Sequence, residues 1–425
     1  MEAHGKSAET PLLGSSHRGT ASSIQTLGNI LVSIVGTGVL GLPFAFRVAG
    51  WLAGTVGVIV TGLSTCYCML ILVQCRKRLV CGEEKTYGDL GYECLGKPGR
   101  YLTEFLIFIS YCGGSVAYLK FIGQTLASVF SGMTFTSFIF CLVPIEIMLS
   151  WIRTLSALSP FTIFADVCNV AAIAMVVKED VQVLWGSGSD IGERRALSPT
   201  IAGLPFGAGV AVFCFEGFGM TLALEGSMRE RGAFTRVLIQ AFCGLTTVYV
   251  LFGLIGYLAY GDQTLDIATL NLPQGWSSMV VQLGLCMGLV FTLPIMLHPV
   301  HEIIEVKLKE SRWFQKYCYD GGDYLTRAGK LGMYIMRAVV VMELALVASY
   351  VPAFGVFTSL VGSTVCALIS FVLPTIFHLK ISGSTLPTWQ KALDVCILSC
   401  GFLFACYGTY NTIFGAPRDL GYIHT

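Results

Sequence analysis

The chain has 425 residues, of which 54% are hydrophobic and only 12% are charged, with 27 Lys and Arg against 26 Asp and Glu. Soluble domains carry about 25% charged residues, so this composition excludes a cytosolic globular enzyme and a disordered chain. A net charge of +1 without a basic tract also excludes a nucleic-acid-binding protein. The composition therefore predicts a membrane protein with several spans.

The predicted elements are membrane-spanning helices, each of which needs about 20 predominantly apolar residues. Eleven segments qualify, and the fourth is the shortest. In chain order the predicted spans are 24–46, 51–75, 101–123, 135–151, 159–177, 204–224, 237–260, 277–304, 333–351, 353–377 and 392–414. The polar residues 1–23 lack the apolar stretch of a cleavable signal peptide, so we expect them to form a tail.

The basic residues predict the orientation, because Lys and Arg concentrate in cytosolic loops. Twenty-one of the 27 fall on the side of residues 1–23, and Lys120 lies within the third span. The other side carries Arg47, Lys178, Arg194, Arg195 and Arg418. We therefore expect a cytosolic N-terminal tail and, after eleven spans, a non-cytosolic C-terminal tail at 415–425. Lys120 lies near the outer end of its span, where we expect its ammonium group to reach the membrane surface.

Signatures of several protein classes are missing from the sequence. It contains neither a Walker A stretch nor a Thr-Val-Gly-Tyr-Gly filter, and residues 301–305 (HEIIE) lack the second His of a zinc protease helix. Thirteen of the 16 Cys lie in spans and the others in predicted cytosolic loops, where thiols stay reduced. We expect no enzyme activity, no cofactor, no metal site and no nucleic-acid partner.

Helix-breaking residues interrupt the first and the sixth span. Residues 36–43 (GTGVLGLP) place three glycines and a proline in the first, and residues 213–220 (FCFEGFGM) place a glutamate beside two glycines in the sixth. Glycine costs about 1 kcal/mol and proline about 3 kcal/mol in a helix interior. Non-helical backbone at membrane depth is tolerated where it lines a cavity. Close helix packing through small residues is the alternative for the first break taken alone.

The spacing of the breaks predicts the architecture. They lie five spans apart, and a repeat of five spans inserts its second copy upside down relative to the first. Broken helices at corresponding positions of two inverted halves mark the binding site of a transporter. The prediction is an all-α integral membrane protein of eleven helices, whose transporter domain (24–414) contains repeat one (24–177), repeat two (204–377) and an additional helix (392–414).

The two breaks also predict the substrate. Backbone N–H groups freed in the first break suit a carboxylate, and carbonyl groups freed in the second suit an ammonium group, so the site fits a zwitterion. The aromatic residues would be lids or pocket walls, although each could instead pack against other helices or face lipid. The predicted substrate-binding residues are Gly36, Thr37, Gly38, Phe213, Cys214, Phe215, Gly217 and Phe218.

Three carboxylates within the spans are candidates for ion coupling, because burying an ionised group in a membrane is expensive. They are Asp166, Glu216 and Glu343. Asp166 is the leading candidate, since the fifth span is expected to pass near the first and the eighth. Asp166 could instead be a hydrogen-bonded structural residue, and Glu216 could accept hydrogen bonds from freed N–H groups. Asp394 lies near a membrane end, where we expect it to be solvated.

These segments resemble the amino acid/auxin permease family of the APC superfamily. The likeness is to its plant vacuolar transporters of neutral and aromatic amino acids and its animal lysosomal proton-coupled transporters. It rests on GTGVLGLP (36–43), FEG with LALE (215–217, 222–225), GYLAYGD (256–262), LNLP (270–273), HPVHE (298–302) and SLVGS (359–363). The resemblance implies a LeuT-like fold and secondary active transport of amino acids across the lipid bilayer, with protons as the coupling ion. Gly226-Ser227, where relatives often have Asn after the Glu, and Lys120 depart from the family pattern.

The N-terminal tail carries a signal for the location of the protein, and the fold permits other functions. Residues 9–13 (ETPLL) are similar to an acidic dileucine signal and, with the family likeness, favour a vacuolar or lysosomal membrane with a lumenal C-terminus over the plasma membrane. The alternative function is an amino acid sensor of the same fold that signals to cytosolic partners. The short tails favour transport, from lumen to cytosol, and a passive pore is a third possibility.

Overall fold

A computed structural model describes residues 19–415 except 80–85, 131, 153–154, 187–193, 201, 321–323 and 352. The predicted sorting signal at 9–13, Arg418 and the C-terminal tail beyond Gly415 lie outside the described residues. Within the described ranges the chain is almost entirely helical.

Fifteen α-helices, numbered in chain order, form in this part of the chain. They are α1 (Ser23–Ile34), α2 (Leu42–Ala49), α3 (Trp51–Leu79), α4 (Tyr87–Val129), α5 (Phe135–Ser150), α6 (Leu155–Gly186), α7 (Gly203–Cys214), α8 (Phe218–Ser227), α9 (Phe234–Tyr260), α10 (Trp276–Glu310), α11 (Arg312–Cys318), α12 (Arg327–Tyr350), α13 (Phe354–Val361), α14 (Leu373–Ser382) and α15 (Thr388–Phe414). Wide helical turns at Gly362–Cys366 and Leu368–Val372 connect α13 to α14. Two short strands, β1 (Tyr319–Asp320) and β2 (Tyr324–Leu325), pair antiparallel between α11 and α12.

Each of the eleven predicted spans falls on one helix or on two consecutive helices. By length and composition, eight helices of the described residues are able to cross a membrane, and the pair formed by 23–34 and 37–49, bent by 49°, adds a ninth. The multi-span character is therefore confirmed, while the count of eleven stays a prediction.

Both predicted breaks are present in the backbone. α1 begins with a capping box between Ser22 and Gln25. It ends at Ile34, and an extended Gly36 leads into a 3₁₀ turn at Thr37–Gly41. Proline favours the first turn of a helix because it has no N–H to leave unpaired, and accordingly α2 restarts just ahead of Pro43.

The second break separates α7 from α8. Residues 215–217 between the two helices are not helical. The residue before α8 is Gly217, which has no side chain that could cap the helix. α7 packs against α2 and α13, and α3 packs against both α7 and α8. The two broken helices therefore lie side by side in the centre of the helix bundle.

The far end of α8 is fixed by buried charges and a short backbone pairing. The Arg76 guanidinium forms an ion pair with the Glu225 carboxylate and donates to the Leu222 carbonyl at 2.6 Å. Both charged side chains are more than 90% buried. In addition, Ala21 pairs with Met228 through backbone hydrogen bonds, so the segment before α1 is joined to the end of α8.

Two sequence predictions about exposed charges are wrong. Lys120 is fully buried, donates from Nζ to the Val351 carbonyl at 2.7 Å and lies 3.4 Å from the centre of the Phe135 ring. It does not reach the surface because α4 continues to Val129, beyond the predicted end of the span. Asp394 is also fully buried, since the His378 imidazole covers it.

Candidate substrate site

A cavity of about 130 Å³ lies where the two helix breaks meet. Its walls include seven residues predicted from the sequence, which are Gly36, Thr37, Gly38, Phe213, Cys214, Glu216 and Gly217. The structure thus brings the two breaks together around one cavity, as the five-span spacing of the breaks requires.

Four other predicted residues lie outside the cavity lining. Phe215 and Phe218 are fully buried, and Phe215 packs against Phe242 and Tyr249, with ring centres 5.8 Å and 5.0 Å apart. Asp166 is partly exposed on α6, and Glu343 is exposed on α12 among apolar side chains. For the two phenylalanines the structure favours packing over contact with a substrate.

Gly38 is a point of close approach between the breaks. A Cβ atom at this position would lie 3.0 Å from Cδ1 of Phe213 and 3.1 Å from the Cys214 sulfur. Since ordinary contacts of such atoms start at about 3.5 Å, any larger residue would displace these neighbours. Glycine at this position therefore allows the 3₁₀ turn at Thr37–Gly41 to contact the end of α7.

Tyr249 connects the two breaks from behind the cavity. Its hydroxyl lies 3.5 Å from the Ile34 carbonyl and 3.3 Å from the Cys214 carbonyl, which are the last residues of α1 and α7. Carbonyl groups at the end of a helix have no partner within the helix. The fully buried Tyr249 hydroxyl shares its single proton between the two carbonyls and so links the ends of both helices.

Glu216 is a polar group in the cavity wall. Its carboxylate accepts a hydrogen bond from the Phe218 N–H at the start of α8 and lies 3.4 Å from the Ser370 hydroxyl. The capping alternative considered for Glu216 is thus present in the structure. Glu216 is also one of the residues that line the cavity.

The α4 helix forms the wall that sequence reasoning missed. Ile107, Ser110, Tyr111, Gly114 and Tyr118 line the cavity. The residue pair at 113–114 carried a signal, since consecutive glycines within a span permit close approach. A Cβ on Gly114 would lie 2.9 Å from the sulfur of Met296, which also lines the cavity.

Asp166 lies outside the cavity lining but within electrostatic range of Tyr118, which is part of that lining. A Cβ on Gly36 would lie 3.4 Å from the Tyr118 hydroxyl. α6, which carries Asp166, packs against α10 as expected for the fifth and eighth spans. Tyr118 therefore joins the surroundings of Asp166 to the first break.

The cavity is bipolar and otherwise apolar. The 3₁₀ turn at Thr37–Gly41 has no side-chain cap, so its first N–H groups are free for a ligand, while Glu216 supplies a carboxyl group. Among the lining residues, all of which belong to the described ranges, there is no Lys, Arg or His. Ile34, Ile107, Phe213, Met220, Met296 and Ile369 supply apolar walls.

The sequence also matches a known family. The profile of the family described as transmembrane amino acid transporter protein matches residues 19–414. The chain belongs to this family. It is an amino acid transporter and not an enzyme, which confirms the resemblance found in the motifs and the expected class of function.

Three relatives show how far the similarity extends. The chain is 60% identical to Amino acid transporter ANT1 of Arabidopsis thaliana, over 93% of each chain. It is 26% identical to Vacuolar amino acid transporter 3 of Schizosaccharomyces pombe, over 93% of this chain and 58% of the relative. It is also 26% identical to the Proton-coupled amino acid transporter-like protein pathetic of Drosophila melanogaster, over 92% and 84%.

Two solved structures share the fold. The inward-facing conformation of Mhp1 superimposes with a TM-score of 0.59 at 12% identity, covering 98% of this chain and 96% of that one. MhsT in complex with L-phenylalanine gives a TM-score of 0.51 at 13% identity, covering 93% and 100%. The predicted LeuT-like fold with broken first and sixth spans is thereby confirmed.

Proposed function

We propose that this transporter moves neutral and aromatic amino acids together with protons across an acidic endomembrane, from lumen to cytosol, by alternating access. The observation that carries the proposal is the cavity between the two helix breaks, where free N–H groups and one carboxylate are surrounded by apolar walls.

The substrate class follows from the chemistry of the walls. The N–H groups at Thr37 and Gly38 bind the substrate carboxylate, and the Glu216 carboxylate binds its ammonium group. The apolar walls receive the side chain, which suits a branched or aromatic group. Since the lining has no basic residue, an acidic substrate side chain would be left unpaired at a cost of several kcal/mol.

Proton coupling rests on the carboxylates near the cavity. Asp166 carries the proton in this proposal, because it lies within electrostatic range of Tyr118, whose hydroxyl lies beside Gly36 of the first break. Glu216 is the second candidate, since it would exchange its proton for the substrate ammonium group. Glu343 is less suited to the role, because its side chain is exposed on α12, away from the cavity.

The name of the Drosophila relative supports proton coupling, and the name of the yeast relative supports a vacuolar membrane. An acidic lumen would then drive substrate into the cytosol. The distribution of basic residues orients the N-terminal tail toward the cytosol and the C-terminal tail toward the lumen in this proposal. Repeat one (24–177), repeat two (204–377) and the additional helix (392–414) form the transporter domain.

A panel of radiolabelled amino acids in proteoliposomes tests this function. We expect purified protein to take up phenylalanine, tyrosine, leucine and similar substrates under an inward proton gradient, and to exclude aspartate and glutamate. Efficient uptake of acidic amino acids would contradict the proposed role of the cavity walls. Binding of neutral amino acids without any flux would instead favour the sensor.

A further inference from the structure

One face of α4 forms a wall of the substrate cavity, with Gly114 near its centre. The α4 residues in the lining are Ile107, Ser110, Tyr111, Gly114 and Tyr118. They recur every three or four residues, which is the spacing of a single helix face. Tyr111 and Tyr118 lie about one turn on either side of Gly114, and about 10 Å apart along the helix axis. The wall therefore has a large side chain at each end and none in the middle.

The two tyrosines contact different parts of the site. A Cβ on Gly36, in the first break, would lie 3.4 Å from the Tyr118 hydroxyl. A Cβ on Gly219, in α8, would lie 2.6 Å from the Tyr111 hydroxyl. The gap at Gly114 is thus between the first break and the start of α8.

The side chain of Met296, on α10, occupies this gap. α4 packs against α10, and a Cβ on Gly114 would lie 2.9 Å from the Met296 sulfur and 3.4 Å from its methyl carbon. Ordinary contacts between such atoms start at about 3.5 Å. The backbone at Gly114 is helical, so its conformation does not require glycine, and alanine would give a more stable helix. Glycine at 114 is therefore needed for the position of the thioether.

A thioether displaced from Gly114 has the cavity as its free space. Met296 itself lines the cavity. Leu293 and Val300, one turn before and after it on the same face of α10, are both buried, so the helix surface beside Met296 is already occupied. Three rotatable bonds allow a methionine side chain to adapt without movement of its backbone. A methyl group on residue 114 would thus turn the thioether into the space left for a substrate side chain.

The adjacent Gly113 has an equally close neighbour outside the cavity. A Cβ on Gly113 would lie 2.9 Å from Cγ1 of Val361 on α13. Neither Gly113 nor Val361 is among the described residues that line the cavity. A β-branched side chain is restricted about χ1, so the valine yields less readily than the methionine. A methyl group at 113 therefore strains the packing of α4 against α13 and leaves the cavity walls in place.

We propose that Gly114 is a positioning residue for substrate selectivity, because it lets the Met296 thioether lie against α4 and so keeps the cavity wide enough for an aromatic ring. This inference rests on the proposed function, in which the first break and Glu216 bind the carboxylate and ammonium groups. Those contacts are common to all neutral amino acids and do not involve Met296. The position of the thioether therefore decides between large and small side chains and leaves the binding of the common groups unchanged.

The test is uptake of labelled phenylalanine and labelled alanine by the full-length protein in proteoliposomes, with kcat/KM measured for each. One methylene group more or less in an apolar pocket changes selectivity by about 10- to 200-fold. Gly114→Ala should therefore lower the ratio of phenylalanine to alanine by a factor in that range, mainly through the KM for phenylalanine, and should retain alanine uptake. Gly113→Ala is the matched control, whose thermal midpoint should fall and whose ratio should remain that of the wild type.

A second substitution separates an effect on the cavity from a general loss of stability. In the double variant Gly114→Ala with Met296→Ala, no thioether remains to be displaced, so most of the lost ratio should be recovered. Residues in contact show such coupling, whereas independent sites have additive effects. A purely structural role for Gly114 would lower the uptake of both substrates alike and leave their ratio unchanged.

Three results would overturn the proposal: an unchanged ratio in Gly114→Ala, an equal fall in Gly113→Ala and Gly114→Ala, or a ratio that the double variant does not restore. If Gly114→Ala does not fold, Met296→Phe adds volume to the same wall from α10 and should lower the ratio; an unchanged ratio in this variant would also overturn the proposal. A wild-type protein that transports neither substrate would contradict the proposed function itself. Wild-type transport with unaltered ratios in the variants would contradict only the role of Gly114.

Discussion

Gly38 offers a direct perturbation of the contact between the two helix breaks. A methyl group at this position would lie 3.0 Å from the Phe213 ring and 3.1 Å from the Cys214 sulfur. Adding such a group to a packed region costs about 1–3 kcal/mol. At 1.4 kcal/mol for each factor of ten, Gly38→Ala should lower the apparent affinity for substrate by about 5- to 150-fold. Gly38→Leu should abolish uptake, because its side chain enters the cavity.

The assay is the initial rate of phenylalanine uptake in proteoliposomes, together with the protein yield and thermal midpoint of each purified variant. Gly28 on α1 is the matched control, since a Cβ atom there would meet no atom within 4 Å. Gly28→Ala and Gly28→Leu should therefore transport almost normally. Wild-type uptake by Gly38→Leu, or equal losses in the Gly28 and Gly38 variants, would refute the assignment of the cavity.

Three further predictions concern the carboxyl groups of Asp166, Glu225 and Asp266. Asp166→Asn should retain substrate exchange and lose accumulation driven by a pH gradient. The control variant Glu343→Gln should keep both activities. Accumulation that survives in Asp166→Asn would exclude Asp166 as the proton carrier. Glu225→Gln should lower the free energy of unfolding by about 3–5 kcal/mol, because it removes the carboxylate that forms an ion pair with the buried Arg76, and an unchanged thermal midpoint would argue against this ion pair. Burial raises the pKa of Asp266, which lies in the segment between α9 and α10. The stability that the protonated Asp266 contributes is therefore fully present below the pKa of the unfolded chain, about 3.9, and is lost as the pH rises through the pKa of the folded protein. Asp266→Asn should be more stable than the wild type at pH 7 and equally stable near pH 4. A difference in thermal midpoint that is the same at both pH values would contradict this.

Much of the fold could be predicted from the sequence, because the lipid bilayer limits the possible structures. The length of the apolar segments predicted the positions of the helices. The glycines and the proline at 36–43 predicted the first break. Residues 215–217 located the second break in the same way. Most residues of the two breaks line the cavity because the backbone itself forms that part of the site, and backbone geometry is encoded locally.

The remaining parts of the site depend on which helices come together, and local patterns do not encode this. Tyr111 and Tyr118 reach the cavity only because α4 crosses both breaks. Tyr249 bridges two carbonyl groups that are distant in the sequence. The burial of Asp394 depends on His378, which comes from a different helix. Such pairs have no signal in a single sequence, since each member alone resembles an ordinary polar residue of a membrane helix.

Accumulation of labelled phenylalanine in proteoliposomes that contain only this protein tests the central claim most directly. One pH unit supplies about 1.36 kcal/mol per proton, so a gradient of two units can sustain a concentration ratio of about a hundredfold if one proton accompanies each substrate. We predict accumulation that approaches this ratio, collapses when the proton gradient is dissipated and does not change when sodium is replaced. Equilibration of substrate without accumulation, or accumulation that follows a sodium gradient, would contradict the account.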